Sequence, residues 1–313
     1  MNEPLAIIIP AYKSAYLREA LSSLAGQTDR SSRVYIGDDA SPENLRAVVD
    51  AFAGRMDLRY TRFDDNAGGR SLVEQWNRCV RLSSEPWVWL FSDDDTADPG
   101  CVAAWRNAAT GGISDVFRFN TRTIDGSGAI TRENPAHPAH ESGFDFAVQR
   151  MSGGRLSYGC EYIFARAAFD FNGGFVDYPL AWCSDDASWI AFSRRGGIAT
   201  IEGPRVNWRY SGDNLSSVSP ATRAAKREAL LRHAEWLRRE FGTRPGWPDL
   251  AARLPAWFRH QLGVADCLAD TASLNRLRAA AGLPPTGRAR TIADGLSINA
   301  RILKRRARKV LRS

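Results

Sequence analysis

The chain has 313 residues, 44% of them hydrophobic, and a formal net charge of +7. This length and apolar content can bury a full core, and no stretch is apolar over the length that crosses a bilayer. No secretory signal peptide is recognisable, and the five cysteines are scattered without a CxxC pair. These features argue against a membrane-spanning or disulfide-stabilised secreted protein and predict a cytoplasmic one with reduced thiols.

The first hundred residues alternate between strand and helix patterns. Apolar runs predict strands at residues 5–10, 33–37, 58–63 and 87–91. Apolar residues at helical spacing predict helices over residues 15–27, from residue 41, and over residues 71–82, with Ser14 and Ser41 as the first two N-caps. Repeated strand–helix–strand units predict a parallel sheet flanked by helices, a doubly wound α/β fold of nucleotide-binding type.

Acidic residues follow two of these strands. Asp38 and Asp39 come after the second strand, and Asp93–Asp95 end the segment PWVWLFSDDD. Because the carboxyl ends of parallel strands meet at one edge of a sheet, we expect both groups there. Tyr12 should join them, just past the first strand, which Pro10 is expected to end. A buried strand cannot hold three adjacent charges, so the triplet should face solvent or a cation.

These residue types suit a nucleoside diphosphate. An aromatic ring beside a carboxylate can stack on a planar base while the carboxylate accepts the N–H of that base. An acidic triplet offers the oxygen ligands that Mn²⁺ or Mg²⁺ prefers when it bridges a diphosphate. Two other interpretations stay open: an ordinary acidic loop, and Asp38 or Asp39 as the cap of the following helix.

Five segments together resemble a known family. They read, in chain order, IIIPAYKSAYLREALSSLAGQT, VYIGDDAS, DNAGGRSLVEQWN, WLFSDDDTADP and FNGGFVDYPLAWCSDDASWIAFSRRGG. In order and separation they are similar to a family 2 glycosyltransferase with the GT-A fold, over roughly residues 5–215. The resemblance implies a Rossmann-like mixed sheet flanked by helices, and an inverting sugar transfer from a nucleotide-diphosphate sugar.

The resemblance also implies roles for single residues. Asp94 matches the acid that contacts the ribose, and Asp95 matches the acid that binds the metal, so Mn²⁺ or Mg²⁺ is the expected cofactor. Arg70 lies in a segment that often touches the base or the phosphates. The implied nucleotide-binding residues are Pro10, Tyr12, Asp39, Arg70, Asp93 and Asp94.

A second acidic pair, Asp185–Asp186, opens a predicted helix. Asp186 matches the catalytic base of the family, and Asp185 remains the alternative because this chain has Asp-Asp where Glu-Asp is more usual. A carboxylate can act as the general base that removes the proton of an acceptor hydroxyl. The structural alternative is that both acids only cap the helix. Relatives often have Arg-x-His where this chain has Ser211 in the histidine position.

The C-terminal tail, residues 287–313, carries nine Lys and Arg and one Asp, so the rest of the chain is close to neutral. Its apolar stripe at helical spacing consists of Ile298, Ile302, Leu303, Val310 and Leu311. A basic amphipathic helix of this kind can lie on an anionic membrane surface. The alternatives are a solvated or oligomer-packing helix and, less favoured, a nucleic-acid contact.

We expect three parts in the chain. Residues 221–286 should form a small helical region, with helices over 221–241 and within 247–281. The expected boundaries are 1–220 for a catalytic domain (nucleotide-sugar half 1–110, acceptor half 111–220), 221–286 for the helical region and 287–313 for the tail.

The function that these observations favour is sugar transfer from a UDP-sugar, or from a dTDP-sugar, to a hydroxyl of a glycan or lipid-linked acceptor. The expected setting is bacterial surface polysaccharide synthesis, in the cytoplasm or at the inner face of the cell membrane. A sugar-nucleotide pyrophosphorylase is the alternative enzyme, although AYKSAY stands where it needs a glycine-rich basic loop. A noncatalytic carbohydrate- or nucleic-acid-binding protein on the same fold is the other alternative, although both acidic groups are present.

Overall fold

The computed structural model describes residues 4–112, 114–212, 220–285 and 287–310, without the side chains of residues 290 and 305–310. Contacts between residues divide the chain into two units. The first comprises Met1–Phe146, Leu156–Asp177 and Ser188–Asp213, and the second comprises Ala147–Arg155, Tyr178–Ala187 and Asn214–Ser313. The domain boundaries expected from the sequence stay predictions.

The first unit is built on one mixed sheet, which has ten strands within the described ranges. The strands are β1 (Leu5–Ala11), β2 (Arg33–Asp38), β3 (Asp57–Arg62), β4 (Trp87–Leu90), β5 (Thr96–Ala97), β6 (Val116–Ile124), β7 (Ile130–Glu133), β8 (His140–Glu141), β9 (Tyr162–Ala165) and β10 (Ile198–Arg209). Their order is β3-β2-β1-β4-β9-β6-β10-β5, with β7 beside β6 and β8 beside β10. Strands β1 to β4 are parallel, whereas β9 is antiparallel to both β4 and β6.

Some of the helices belong to the unit that contains this sheet, and the others build the second unit. They are α1 (Leu17–Ala25), α2 (Leu45–Asp50), α3 (Leu72–Val80), α4 (Cys101–Thr110), α5 (Gly143–Met151), α6 (Arg166–Phe171), α7 (Ser184–Phe192), α8 (Arg223–Phe241), α9 (Trp247–Val264), α10 (Thr271–Ala280) and α11 (Arg288–Val310). Helices α1 to α4 and α6 belong to the first unit and α8 to α11 to the second, while α5 and α7 have residues in both. The predicted mixed sheet flanked by helices, with a helical C-terminal region, is confirmed.

Strand β1 sets the position of the sheet edge that carries the acidic residues. It lies between β2 and β4 and is buried at every residue except the partly buried Pro10. A strand covered on both faces needs apolar side chains on both, which explains its unbroken run of apolar residues. The expectation that Pro10 ends the strand is wrong, because β1 continues to Ala11. The Ile8 carbonyl accepts the Phe91 N–H on the β4 side, and Pro10 faces that side beyond the last paired residue, where its missing N–H is tolerated.

The first two helices begin later than their expected caps. Helix α1 begins at Leu17, and no side chain caps it. Helix α2 begins at Leu45, where the side chain of Asn44 accepts the Ala47 N–H. Ser41 belongs instead to the preceding turn, because its hydroxyl donates to the Tyr12 carbonyl at 2.6 Å. Serine and asparagine compete for such turn and cap positions, which sequence alone does not resolve.

Within the second unit, α8 packs against α9 and α10, and α11 packs against α9 and α10. The basic tail is helical over Arg288–Val310, but its predicted apolar stripe is divided. Ile298 and Ile302 are buried, whereas Leu303 is half exposed. The side chain of Val310 and all of Leu311 lie outside the described residues. No helix in the part of the chain that is described combines the length and apolar character that crossing a bilayer requires.

His233 of α8 is a buried titratable group in this unit. It is fully buried beside the rings of Tyr178, Trp236 and Trp257, and neither ring nitrogen has a hydrogen-bond partner among the described residues. Burial lowers the pKa of His233 to about 4. The unfolded chain takes up this proton near pH 6.5, so stability should fall by about 3 kcal/mol as the pH drops from neutral to 4.

Replacing His233 with phenylalanine should remove this part of the acid sensitivity. Urea unfolding at neutral pH and at pH 5 measures it, and the stability lost between the two should be smaller in His233→Phe than in the parent. His260→Phe, at an exposed histidine of α9, is the matched control. Equal losses in the parent and in His233→Phe would contradict a neutral buried His233.

Candidate functional site

The acidic triplet lies in the turn after β4, at the carboxyl edge of the parallel strands. Asp93 and Asp94 are partly exposed, but Asp95 is only 1% exposed. The sequence predicted that the triplet would face solvent or a cation, and Asp95 does not face solvent. Its Oδ1 accepts the backbone N–H of Arg209 at 2.7 Å, and the side chains of Cys160 and Ser92 donate to the same carboxylate. These donors make its burial tolerable.

Asp93 connects the triplet to the end of β1. Its Oδ2 accepts the backbone N–H groups of Tyr12 at 2.9 Å and Lys13 at 3.1 Å. These bonds involve only the backbone of Tyr12, which is 38% exposed. The tyrosine ring therefore remains accessible for stacking on a planar group.

Arg209, at the end of β10, is a central residue that the sequence did not single out. Its fully buried guanidinium donates to the Asp94 carbonyl at 2.7 Å and to a carbonyl in the turn after β6 at 3.0 Å, and it pairs with Glu19 of α1 at 2.6 Å. Because its backbone N–H also binds Asp95, Arg209 connects the acidic turn with α1 and with the turn after β6. The available signal was its place two residues before Ser211, where relatives often have Arg-x-His.

Burial and mutual repulsion disfavour the ionised triplet. Burial raises the pKa of Asp94, and the charges of Asp95 and Asp93 raise it further. Burial also raises the pKa of Asp95, although its hydrogen-bond donors oppose this. A divalent cation would relieve the repulsion, and carboxylate oxygens suit Mn²⁺ or Mg²⁺.

The described residues contain no group of three or more His, Cys, Asp or Glu side chains arranged as a protein metal cage. Mg²⁺ commonly binds one or two carboxylates and completes its shell with water and substrate phosphates. The donor set of the triplet fits a cation bound in that way, with Asp95 as the residue that would hold it.

Asp39 closes the loop after β3. Its Oδ1 accepts the Ala67 N–H at 2.8 Å and its Oδ2 accepts the Gly68 N–H at 2.9 Å, while Arg78 of α3 forms an ion pair with it. A Cβ at Gly68 would lie 2.5 Å from Oδ2, so only glycine permits this approach. Asp39 therefore orders the loop that carries Arg70. Arg78 was not identified from the sequence, since its partner is 39 residues away.

Arg70 and Asp38 differ in how firmly they are held. The Arg70 side chain is 60% exposed and pairs with Asp65 at 2.6 Å. Exposed pairs of this kind contribute little, so Arg70 can exchange Asp65 for another anion at small cost. Asp38 is fully buried, accepts the Ser41 N–H at 2.8 Å and pairs with Arg62 at 2.8 Å. Of the two adjacent acids, Asp38 is thus the one that caps the following turn.

The second unit contains the other acidic pair, in the first turn of α7. Asp186 is 3% exposed. Its two carboxylate oxygens share the N–H of Arg150 Nε, at 2.9 Å from each oxygen, and Oδ2 also accepts from Arg150 Nη2 at 2.6 Å. Arg150 also donates to the Arg155 carbonyl at 2.7 Å. The sequence did not point to Arg150, because nothing local pairs it with a residue 36 positions away.

Asp185 has a different environment from its neighbour. It is partly exposed, and burial raises its pKa to about 7, with the charge of Asp186 adding to the shift and Arg150 opposing it. A carboxyl group with a pKa near neutrality can accept a proton at physiological pH. The pair therefore consists of one carboxylate committed to an arginine and one suited to proton transfer.

Comparisons with known proteins agree with this architecture. The chain is similar to the crystal structure of S. aureus TarS 1-349 in complex with UDP-GlcNAc, with a TM-score of 0.63 and 16% identity over 95% of this chain and 90% of that one. It is also similar to the mannosyltransferase PcManGT from Pyrobaculum calidifontis in complex with GDP-Man and Mn²⁺, with a TM-score of 0.56 and 16% identity over 95% and 80% of the two chains. At these identities the likenesses show the GT-A fold.

A comparison with curated protein sequences gave no significant match. The family model described as Glycosyl transferase family 2 matches residues 6–167, which include β1 to β4 and the acidic turn. The match spans more than half of the chain, which therefore belongs to glycosyl transferase family 2.

Proposed function

We propose that this chain is an inverting glycosyltransferase that moves a sugar from a nucleotide-diphosphate sugar to a hydroxyl of a glycan or lipid-linked acceptor. UDP is the first choice of nucleotide and dTDP the second. The observation that carries the proposal is the acidic turn Asp93–Asp95, whose carboxylates are bonded to the end of β1 and to Arg209. The TarS structure with UDP-GlcNAc and the PcManGT structure with GDP-Man and Mn²⁺ support a nucleotide-sugar donor.

In this proposal the nucleotide binds at the carboxyl ends of β1, β2 and β4. The Tyr12 ring stacks on the base beside Pro10, and the Asp39 carboxylate accepts an N–H of the base. The loop that Asp39 orders brings Arg70 toward the base or the phosphates. Asp93 holds the backbone of Tyr12 in place, and Asp94 contacts the ribose. Asp95 would hold a divalent cation, and that cation would supply positive charge to offset the charge that develops on the departing diphosphate.

The acidic pair supplies the base. The resemblance assigns this role to Asp186, whereas the contacts favour Asp185, because the Asp186 oxygens are already bonded to Arg150. We therefore propose that Asp185 accepts the proton of the acceptor hydroxyl, while Asp186 and Arg150 hold the first turn of α7 and keep the Asp185 pKa near neutrality. The hydroxyl then attacks opposite the leaving group and inverts the anomeric centre, without an enzyme nucleophile.

The proposed location in the cell rests on the proposed acceptor and on the cationic helix α11. The basic tail, residues 287–313, would bring a cytoplasmic enzyme to the inner face of the membrane, where a lipid-linked acceptor for bacterial surface polysaccharide synthesis is made available. Nucleic acid is not expected as a partner.

A panel of nucleotide sugars tests the proposed function. The protein with Mn²⁺ is mixed with UDP-, dTDP- and GDP-sugars without an acceptor, and thermal shift and nucleoside diphosphate release are measured. We expect UDP-sugars to raise the melting temperature and to be slowly hydrolysed. If no nucleotide sugar stabilises the protein or is hydrolysed, the proposal fails.

Replacing Tyr12 with alanine should raise the donor KM more than it lowers kcat. Stacking on the base is the same in the ground and transition states, so its loss weakens binding uniformly. Tyr12→Phe keeps the ring and the backbone bonds to Asp93, and it should behave like the parent. Steady-state kinetics with varied donor measures both constants, and an unchanged donor KM in Tyr12→Ala would remove Tyr12 from the site.

A further inference from the structure

Helix α11 has an exposed apolar face that differs from the predicted one. Ile298 and Ile302 are buried within the second unit, whereas Ile292, Leu296 and Leu303 are 43%, 65% and 50% exposed. These three lie within about 40° of one another around the helix. Three exposed alanines widen this face to about 100°. We call the face the exposed band; its members are Ile292, Leu296, Leu303, Ala289, Ala293 and Ala300.

Cations border the exposed band on both sides. On a helical wheel Arg288 lies beyond one edge, and Lys304 and then Arg301 lie beyond the other, and all three are exposed. Asp294 is the single acid in the sequence of α11, and residues 305–309 add four more cations. Large apolar side chains between cations match the two layers of a bilayer interface, in which lipid phosphates lie above the acyl boundary.

A neighbouring loop continues the same surface. Asn299 of α11 accepts the Ala269 N–H at 2.8 Å and donates to the Ala269 carbonyl at 3.0 Å. These two bonds hold the loop before α10 beside the exposed band. The adjacent Leu268 is 37% exposed, and its carbonyl accepts an N–H of Arg227 at 3.1 Å, while the same guanidinium pairs with Asp270 at 2.9 Å. This loop therefore adds apolar surface beside the exposed band without a net charge.

We propose that the exposed band of α11 is the surface through which this protein binds an anionic bilayer. Ile292, Leu296 and Leu303 enter the acyl boundary, and the bordering cations contact lipid phosphates. The face predicted from the sequence cannot serve, because Ile298 and Ile302 are buried where α11 packs on α9 and α10. The purpose of this contact, access to a lipid-linked acceptor, rests on the proposed function, but the surface itself does not.

Flotation with lipid vesicles tests the exposed band. The full chain is mixed at low salt with phosphatidylcholine vesicles, with or without phosphatidylglycerol. We expect binding only to the anionic vesicles, and weaker binding as salt rises. Leu296→Asp should weaken the apparent partition constant roughly tenfold or more, because it removes an inserted side chain and adds a charge of the wrong sign.

Phe171→Asp is the matched control, since Phe171 is 84% exposed on α6 and the substitution changes the net charge by the same amount. It should bind vesicles nearly as the parent does. Leu296→Gln leaves the net charge unchanged, and it should still weaken binding because the apolar contact is lost.

Three results would overturn the proposal: no binding of the parent to anionic vesicles at low salt, equal binding by Leu296→Asp and Phe171→Asp, or a change from dimer to monomer in Leu296→Asp with vesicle binding intact. The last result would make the exposed band an interface between copies. Hydrolysis of free donor should be equal in the parent and in all three variants. A parent without hydrolysis would instead contradict the proposed function.

Discussion

Asp95→Asn is expected to abolish metal-dependent binding of UDP and to lower sugar transfer roughly 10²-fold or more. Asparagine is the appropriate replacement because Asp95 is buried and its Oδ1 accepts the Arg209 N–H, a bond that the amide oxygen can retain. The substitution thus removes the charge while the Arg209 N–H keeps its acceptor, and the Cys160 and Ser92 side chains, which also donate to this carboxylate, are left with one acceptor oxygen in place of two. Titration calorimetry of UDP with and without Mn²⁺ measures the effect.

Asp38→Asn is the matched control, because Asp38 is equally buried but is paired with Arg62. This variant should lose stability and keep the response of UDP binding to Mn²⁺. Full activity of Asp95→Asn, or activity of the parent that chelators do not affect, would contradict the metal assignment.

Asp185→Asn is expected to lower transfer roughly 10²-fold or more at neutral pH, in line with the usual contribution of a general base. Donor binding should change little. With its pKa raised to about 7, Asp185 loses its proton as the pH rises through that value, so parental activity should rise there. The pH profile of transfer measures both effects.

Asp186→Asn distinguishes the two acids. Without the negative charge of Asp186, the Asp185 pKa falls, because that charge helps to raise it and Arg150 opposes it. Residual activity should therefore persist, with the acidic limb of the pH profile moved to lower pH. Asp170→Asn, at an exposed position of α6, is the control. If Asp186→Asn is inactive and Asp185→Asn is active, Asp186 is the base.

The local patterns of the sequence predicted the parallel half of the sheet. Continuous apolar runs and intervening amphipathic segments specify β1 to β4 and α1 to α3, apart from shifts of a few residues at their ends. Because parallel strands place their carboxyl ends together, the positions of Tyr12, Asp39 and the acidic triplet at one edge followed as well. The places of β9 and β10 did not follow, since they depend on pairing between distant segments.

The arginines that hold the site could not be predicted in the same way. Arg209 pairs with Glu19 across 190 residues, and Arg150 pairs with Asp186 across 36. Such partners are selected by tertiary packing, which leaves no periodic signal in the sequence. Helix α11 shows the same limit, because its spacing revealed an apolar stripe but not which of its residues, such as Ile298 and Leu303, are buried or exposed.

The configuration of the released sugar distinguishes an inverting transferase from a retaining one. A UDP-sugar is incubated with the protein and Mn²⁺ in the absence of acceptor, and the first anomer formed is identified by proton NMR before mutarotation. Direct attack by water activated by the acidic pair predicts the configuration opposite to that of the donor. Release of the sugar with the configuration of the donor would contradict direct displacement, because retention requires a different mechanism.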